Sequence, residues 1–158
     1  MIDLHIDKVN GAIFLGGVEV DISSEDVFVK SAFYETFFKQ GEINELMPHH
    51  YLLKSVIFKD KIFEMIVRTI CYDFPFMIQL IDHDSDYFNS REDWNLKADI
   101  NMLSQSVRKT SLWLSEVLDL QEPDVQNESF NRWLFSWGRV SVSYENKSFD
   151  FGIFITWY

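Results

Sequence analysis

The amino-acid sequence predicts an α+β fold, with a mainly antiparallel sheet of about seven strands and two or three helices packed on it. Residues 149–157 repeat apolar side chains at every second position, which is the period of a strand. Residues 51–58, 62–70 and 76–81 are apolar segments that follow one another too closely for helices to lie between them. The stretch 96–118 instead repeats its apolar residues every three or four positions, as a helix does. Because strands and helices do not alternate regularly, an antiparallel α+β arrangement is favoured.

An early β-hairpin is predicted in the first part of the chain. The apolar residues 12–15 precede Gly16-Gly17, and residues 18–22 form the return strand. A two-residue Gly-Gly connection supplies the positive φ angles that tight hairpin turns require.

A helix is predicted directly after this hairpin. Ser23 or Ser24 is its candidate N-cap, and the acidic residues Glu25 and Asp26 follow, where the positive end of a helix favours negative charge. We expect this helix to run to about Phe38.

The three apolar segments in the middle of the chain are predicted to form an antiparallel meander. The second of them alternates Phe63, Met65 and Val67 with other residues, two of which are charged. This spacing is typical of strands that are covered on both faces in part.

The central helix is predicted from a stripe of apolar residues at helical spacing: Leu96, Ile100, Leu103, Val107, Leu114, Val117 and Leu118. Asn95 is its predicted N-cap. Pro123 cannot continue a helix, so we expect the helix not to extend past Leu120.

A second hairpin is predicted at the end of the chain. Residues 139–144 alternate between apolar and polar side chains, residues 145–148 form the turn, and residues 149–157 return. Gly138 precedes the first of these strands, which predicts a bulge or a close backbone approach that leaves no room for a Cβ atom.

Composition limits the class of protein. The chain has 158 residues, of which 47% are hydrophobic and 16% aromatic, so one domain over residues 1–158 can form its core without a metal or a disulfide. The single cysteine, Cys71, is expected to be a buried thiol in a reducing compartment. The first seven residues lack the pattern of a secretion signal, and no segment approaches the ~20 apolar residues of a membrane span. We therefore expect a cytoplasmic protein.

The charge is negative and concentrated. The formal net charge is −11, and the pI is near 4.6. Residues 82–99 hold six acids and two bases, and residues 110–131 hold five acids and no base. Such stretches attract a positively charged partner and repel nucleic acid and anionic lipid, so neither of these is expected as a direct ligand.

No catalytic or metal-binding motif is found. Residues 82–86 lack the turn glycine and terminal glutamate of a calcium loop, and the neighbouring His49 and His50 point apart in most backbones. No Gly-x-Ser-x-Gly elbow and no phosphate-binding glycine loop occurs. We predict no catalytic residue, no cofactor and no metal, and thus no enzyme, with an enzyme of unrecognised site as the third hypothesis.

Two tryptophans are candidate anchors of a protein interface. Trp94 and Trp137 are predicted at element boundaries beside polar residues, and tryptophan commonly supplies binding hot spots. The alternative, which holds for Trp113 and Trp133 as well, is that these side chains belong to the core.

The last third of the chain resembles a known family. Leu112-Trp113-Leu114 closes a helix, an acidic loop follows, and then come residues 137–144, Trp-Gly-Arg-Val-Ser-Val-Ser-Tyr, with a final strand over residues 151–158. This order is similar to the C-terminal region of immunity proteins of bacterial polymorphic toxin systems, including those of contact-dependent growth inhibition. The Asp-Gly-type turn expected after the tyrosine is replaced here by residues 145–148, Glu-Asn-Lys-Ser.

The resemblance implies a protein that binds and neutralises a cognate secreted toxin domain in the cytosol. Many such toxins are nucleases with a basic cleft, which an acidic inhibitor could cover. The resemblance carries over no binding residues, so the candidates come from the charged stretches and the two aromatic anchors: Asp82, Asp84, Asp86, Glu92, Asp93, Trp94, Glu116, Asp119, Glu122, Asp124, Glu128 and Trp137. The alternative is an acidic secretion chaperone that holds an exported effector in an unfolded state.

Overall fold

The computed structural model describes residues 1–69 and 76–158, which form one mixed sheet with helices packed beside it. The strands are β1 (Ile2–Ile6), β2 (Ile13–Leu15), β3 (Val18–Glu19), β4 (Ile43–Met47), β5 (His50–Phe58), β6 (Lys61–Arg68), β7 (Met77–Asp82), β8 (Val125–Gln126), β9 (Phe130–Phe135), β10 (Gly138–Tyr144) and β11 (Phe151–Trp157). The helices are α1 (Glu25–Val29), α2 (Ala32–Lys39), α3 (Asp86–Ser90), α4 (Trp94–Lys97) and α5 (Ile100–Val117). Cys71 and its expected burial lie outside the described residues.

The fold is α+β, but the prediction of about seven strands and two or three helices is wrong. The described ranges contain eleven strands and five helices. The additional strands are β1, β4, β8 and β9. Of these, β4 has one buried side chain and β8 has none, so neither shows the alternation by which a strand is recognised.

The sheet is antiparallel except at one pair of strands. Its order is β3-β2-β1-β5-β6-β7-β11-β10-β9-β8, and β1 runs parallel to β5. Strand β4 pairs with the first half of β5, where Ile43 lies opposite Leu53. Strand β1 pairs with the second half, where Ile2 lies opposite Val56. The two strands therefore share one edge of β5.

The single helix predicted for residues 25–38 is two helices. The Ser24 side chain caps α1, as predicted, by accepting the backbone N–H of Val27 at 3.5 Å. Ser31 then adopts an extended backbone, and its hydroxyl accepts the N–H of Tyr34 at 3.1 Å. A serine side chain competes for backbone donors in this way, so Ser31 ends one helix and starts the next.

The predicted N-cap of the central helix, Asn95, is also wrong. Asn95 lies inside the short helix α4, which is capped by Asp93, whereas α5 is capped by Asp99. The carboxylate of Asp99 accepts the backbone N–H groups of Asn101 and Met102 at 3.0 and 3.1 Å. Aspartate is a strong N-cap, so two such caps in succession divide the apolar stripe into two helices.

Helix α5 covers one face of β9 and β10. The side-chain amide of Asn131 in β9 donates to Ser111 Oγ of α5 at 2.9 Å, and Trp133 on the same face is buried. Because side chains alternate between the faces of a strand, Arg132 lies on the opposite face. The strand register extends this opposite face through Ser141, Phe154 and Gln79.

The sheet curls until its two halves meet at residues 7–12, which we call the latch loop. Five strand-to-strand steps separate β1 from β10, which is about 24 Å in a flat sheet. Yet Trp137 Nε1 donates to the Lys8 carbonyl oxygen at 2.9 Å, and Trp157 Nε1 donates to the Gly11 carbonyl oxygen at 2.9 Å. The curled sheet therefore encloses the core.

The close backbone approach predicted at Gly138 is confirmed. A Cβ atom there would lie 2.1 Å from the carbonyl oxygen of Thr156 and 2.9 Å from Trp157 Cα, across the β10–β11 pair. Glycine is therefore required at this position for the two strands to pair.

Candidate functional site

The first acidic stretch begins at Asp82, whose carboxylate is buried and neutralised. It accepts a hydrogen bond from Lys61 Nζ at 2.6 Å and another from the backbone N–H of Asp84 at 2.9 Å. Lys61 belongs to β6 and Asp82 to β7, so this charge-assisted bond holds the two strands together.

Asp84 and Asp86 line a cleft of about 180 Å³ beside α5. Lys61, Lys109 and Trp113 line the same cleft. Asp82 lines the cleft too and is paired with Lys61, so Lys109 offsets only one of the two exposed carboxylates and the cleft is less negative than the sequence alone predicts.

Helix α4 and the start of α5 expose three large apolar side chains within seven residues. Trp94, Leu96 and Ile100 are each more than half exposed. The Trp94 ring packs edge-on against Phe149 with 5.4 Å between centroids, and Lys97 Nζ lies 5.8 Å from the Trp94 ring. Clustered apolar exposure is typical of an interaction site, and the contacts beneath Trp94 hold its ring in place.

Four carboxylates lie in the same segment as these apolar side chains or share a cavity with one of them. Glu92, Asp93 and Asp99 are exposed in the same segment. Glu128, in the turn between β8 and β9, lies with Ile100 on the wall of an open cavity of about 560 Å³. We call this combination the α4 surface, which consists of Glu92, Asp93, Trp94, Leu96, Asp99, Ile100 and Glu128.

The other acids of the second stretch lie at the far end of α5. This helix has 18 residues and is about 27 Å long. Glu116 lies in its last turn, and Asp119, Glu122 and Asp124 follow it. Asp124 Oδ2 accepts the backbone N–H of Leu134 at 2.7 Å. The structure therefore divides the candidate acids, and of the second stretch only Glu128 joins the α4 surface.

Trp137, the second aromatic candidate, has a structural role at the latch loop. Its ring stacks on Phe135 with 5.1 Å between centroids and lies 5.8 Å from the ring of Trp157. A Cβ atom on Gly11 would lie 2.4 Å from the Trp137 ring, so the latch loop closes directly on the indole. A role of Trp137 in binding stays a prediction.

A polar cluster that the sequence does not reveal joins α1 to the sheet. Glu25 Oε2 accepts a hydrogen bond from the Thr69 hydroxyl and contacts His49 Nδ1 at 2.5 Å. The Thr69 hydrogen bond, with help from His49, lowers the pKa of Glu25 below its usual value. Burial and the Glu25 charge raise the pKa of Tyr51 to about 12. The cluster thus keeps the Glu25 carboxylate ionised and fastens α1 to the sheet.

A second set that the sequence does not reveal is basic. Arg68, Arg132 and Arg139 line a cavity of about 430 Å³ on the sheet face opposite α5. Arg132 and Arg139 come from the neighbouring strands β9 and β10, whereas Arg68 comes from β6, more than sixty residues earlier in the sequence. Only the strand order brings Arg68 to the other two, so no local motif could have found the complete set.

The described residues hold no group of three or more His, Cys, Asp or Glu side chains placed to bind a metal ion. Within the same ranges, no helix has the length and apolar content needed to cross a membrane. Comparison with protein-family models, with curated proteins and with solved structures finds no match. Any functional proposal therefore depends on the side chains of this chain.

Proposed function

We propose that this chain is an immunity protein, which binds and neutralises the folded, basic domain of a cognate toxin without any catalytic step. The observation that carries the proposal is the α4 surface, in which exposed apolar side chains lie near carboxylates. The expected partner is a nuclease domain, and the expected place of action is the cytosol.

The α4 surface has the composition of a binding hot spot. A large aromatic side chain such as Trp94 supplies most of the affinity when it enters a pocket of the partner, and the surrounding groups exclude water from it. Trp94 is already held by Phe149 and Lys97, so little conformational entropy is lost on binding.

The nearby acids favour a partner rich in lysine and arginine. Glu92, Asp93, Asp99 and Glu128 supply four negative charges near the apolar side chains, and Arg108, on the wall of the same cavity as Glu128, offsets one of them. A nuclease cleft binds phosphate and is therefore basic, so it is complementary to this surface. Opposite fields also accelerate association, to about 10⁸–10⁹ M⁻¹s⁻¹ at low salt, which protects the cell from free toxin.

The test uses the toxin domain expected in the gene directly upstream, and two pairs of charge reversals. Glu92→Lys with Glu128→Lys alters the α4 surface, whereas Glu116→Lys with Glu122→Lys makes the same change of charge at the far end of α5. We expect the first pair to slow association at low salt by about tenfold and the matched pair to leave it nearly unchanged. Equal effects of the two pairs would contradict the proposed surface.

Trp94→Ala tests the apolar part of the α4 surface. Loss of a hot-spot side chain costs about 2 kcal/mol, so the dissociation constant should rise about thirtyfold, mainly through faster dissociation. Circular dichroism checks that the variant is folded. Unchanged affinity in a folded variant would exclude Trp94 from the interface.

The state of the partner distinguishes an immunity protein from a secretion chaperone. An immunity protein should bind the folded toxin domain and block its activity. Binding only to short unfolded fragments of the partner, or an upstream gene that encodes no toxin domain, would contradict the proposal.

A further inference from the structure

The face of the sheet opposite α5 gathers positive charge in an acidic protein. Three of the five arginines of the chain, Arg68, Arg132 and Arg139, line one cavity of about 430 Å³ there. Small-molecule sites usually have volumes of about 300–1,000 Å³. The cavity shares no residue with the α4 surface, so it requires its own explanation.

The strand register places the basic and polar groups in two adjacent rows. Thr156 of β11 lies opposite Arg139 of β10 and Met77 of β7, and Met77 lies opposite Arg68 of β6. In the next row, Ser141 of β10 lies between Arg132 and Phe154. The cavity thus has arginines on its sides, hydroxyl groups on its floor and an aromatic ring beside them.

Within the described residues, the side-chain contacts that fix Arg132 are with neutral groups. Its Nε donates to Ser141 Oγ at 3.3 Å, and its guanidinium lies 4.7 Å from the centre of the Phe130 ring. Burial and the positive charge of Arg139 lower the pKa of Arg132. No acidic side chain within residues 1–69 and 76–158 forms an ion pair with Arg132 or Arg68.

Two buried hydrogen-bonding groups in the cavity have no partner among the described residues. They are Thr156 Oγ1, on a side chain that is only 4% exposed, and Arg68 Nε. Arg68 donates through Nη2 to Gln79 Oε1 at 2.7 Å, so its guanidinium is oriented while Nε stays free to donate. Buried polar groups are nearly always satisfied, so these two indicate an additional hydrogen-bonding partner.

The two acids that line the cavity, Glu145 and Asp150, already have partners. Glu145 accepts the backbone N–H groups of Lys147 and Ser148, and these bonds lower its pKa. Asp150 accepts hydrogen bonds from Tyr87 and Lys97. Within residues 1–69 and 76–158, neither carboxylate forms an ion pair with Arg68 or Arg132.

We propose that this cavity binds a small organic molecule that carries an oxyanion, either a phosphate or a carboxylate. Arg132 and Arg68 hold the oxyanion, because a guanidinium group presents paired N–H donors to two oxygens of a carboxylate or a phosphate, and the positive charge of Arg139 strengthens the attraction. The Thr156 hydroxyl donates a further hydrogen bond, and the Phe154 ring packs against the organic part of the ligand. This site is independent of toxin binding.

Titration calorimetry with phenyl phosphate, benzoate and inorganic phosphate at constant ionic strength tests the site. We expect at least one of the two aromatic anions to bind with 1:1 stoichiometry, and the preferred one to identify the headgroup. Arg132→Gln should weaken that binding at least tenfold, whereas Arg108→Gln, at an exposed position of α5, should not change it. Absence of binding, or equal binding to both variants, would overturn the proposal.

Thr156→Val keeps the test decisive if Arg132→Gln does not fold. Valine has nearly the shape of threonine and suits a strand, and the hydroxyl that it removes has no partner in the described structure. We expect the variant to be at least as stable as the parent protein without ligand, yet to bind the preferred anion several-fold more weakly. Unchanged affinity of this variant would exclude the Thr156 hydroxyl from the site and overturn the geometry proposed.

Discussion

Replacement of Glu64 by glutamine should destabilise the segment that carries the α4 surface. Arg91, the C-cap of α3, directly precedes this surface in the sequence. Its guanidinium donates two hydrogen bonds to Glu64 of β6, from Nη1 to Oε1 at 2.6 Å and from Nη2 to Oε2 at 3.1 Å. This bidentate ion pair therefore ties the end of α3 to the sheet.

The size of the effect follows from the burial of the pair. The side chains of Glu64 and Arg91 are 14% and 28% exposed. Removal of one partner of a fully buried ion pair costs about 3–5 kcal/mol, and a hydrogen bond to a charged group contributes about 1.5–3 kcal/mol. Glutamine keeps one acceptor, and the Phe88 ring still lies 4.2 Å from the Arg91 guanidinium. We therefore expect the free energy of unfolding to fall by about 2 kcal/mol.

Urea denaturation measures this change, and Glu92→Gln is the matched control. With a denaturant slope of about 2 kcal/mol per molar, Glu64→Gln should lower the urea midpoint by about 1 M. Glu92 is 96% exposed and lies 3.9 Å from Arg91 Nε, so its replacement should change the free energy of unfolding by less than about 0.5 kcal/mol. Equal midpoint shifts for the two variants would refute the reasoning.

Two further predictions concern the sheet and the polar cluster. Gly138→Ala puts a methyl group 2.1 Å from the Thr156 carbonyl oxygen, so we expect the free energy of unfolding to fall by about 3 kcal/mol or more. Calorimetry should then show a thermal midpoint lower by at least about 6 °C. A decrease in the free energy of unfolding below about 1 kcal/mol would show that β10 and β11 can separate there. Because Thr69 and His49 lower the pKa of folded Glu25, this carboxyl stabilises the fold above its ordinary pKa of 4.5, and that contribution is lost as the pH falls through the folded-state value. The acid-induced loss of stability should be smaller in Glu25→Gln, and identical pH profiles for the two proteins would contradict this role.

Local signals were sufficient for much of the fold. The Gly16-Gly17 turn connects β2 and β3, as predicted, and both glycines have the positive φ that such a turn requires. The three strands of the central meander and the C-terminal hairpin pair as predicted. In each case the pattern lies within about twenty residues, so the sequence itself carries it.

The errors arise where a long-range contact or a capping side chain decides the structure. Strand β1 alternates buried and exposed residues and could have been found, but its parallel pairing with β5 depends on a partner some fifty residues away. The break at Ser31 and the caps Asp93 and Asp99 divide helices that apolar spacing alone joins. The sequence predicts the acids of both charged stretches as one set of binding residues, whereas the 18 residues of α5 separate most acids of the second stretch from the α4 surface. The arginine cavity depends on the order of strands, which composition does not encode.

The latch loop also determines when folding can finish. Its Lys8 and Gly11 carbonyls accept hydrogen bonds from Trp137 and Trp157, which are 129 and 146 residues further along the chain. Contacts at such separation slow folding, because the chain must close a long loop before they contribute any stability. At a synthesis rate of about 5–20 residues per second, Trp157 is added about 7 to 30 s after the apolar strands of the first fifteen residues have been synthesised. A nascent chain must therefore keep these strands from aggregating until its last tryptophan has been added.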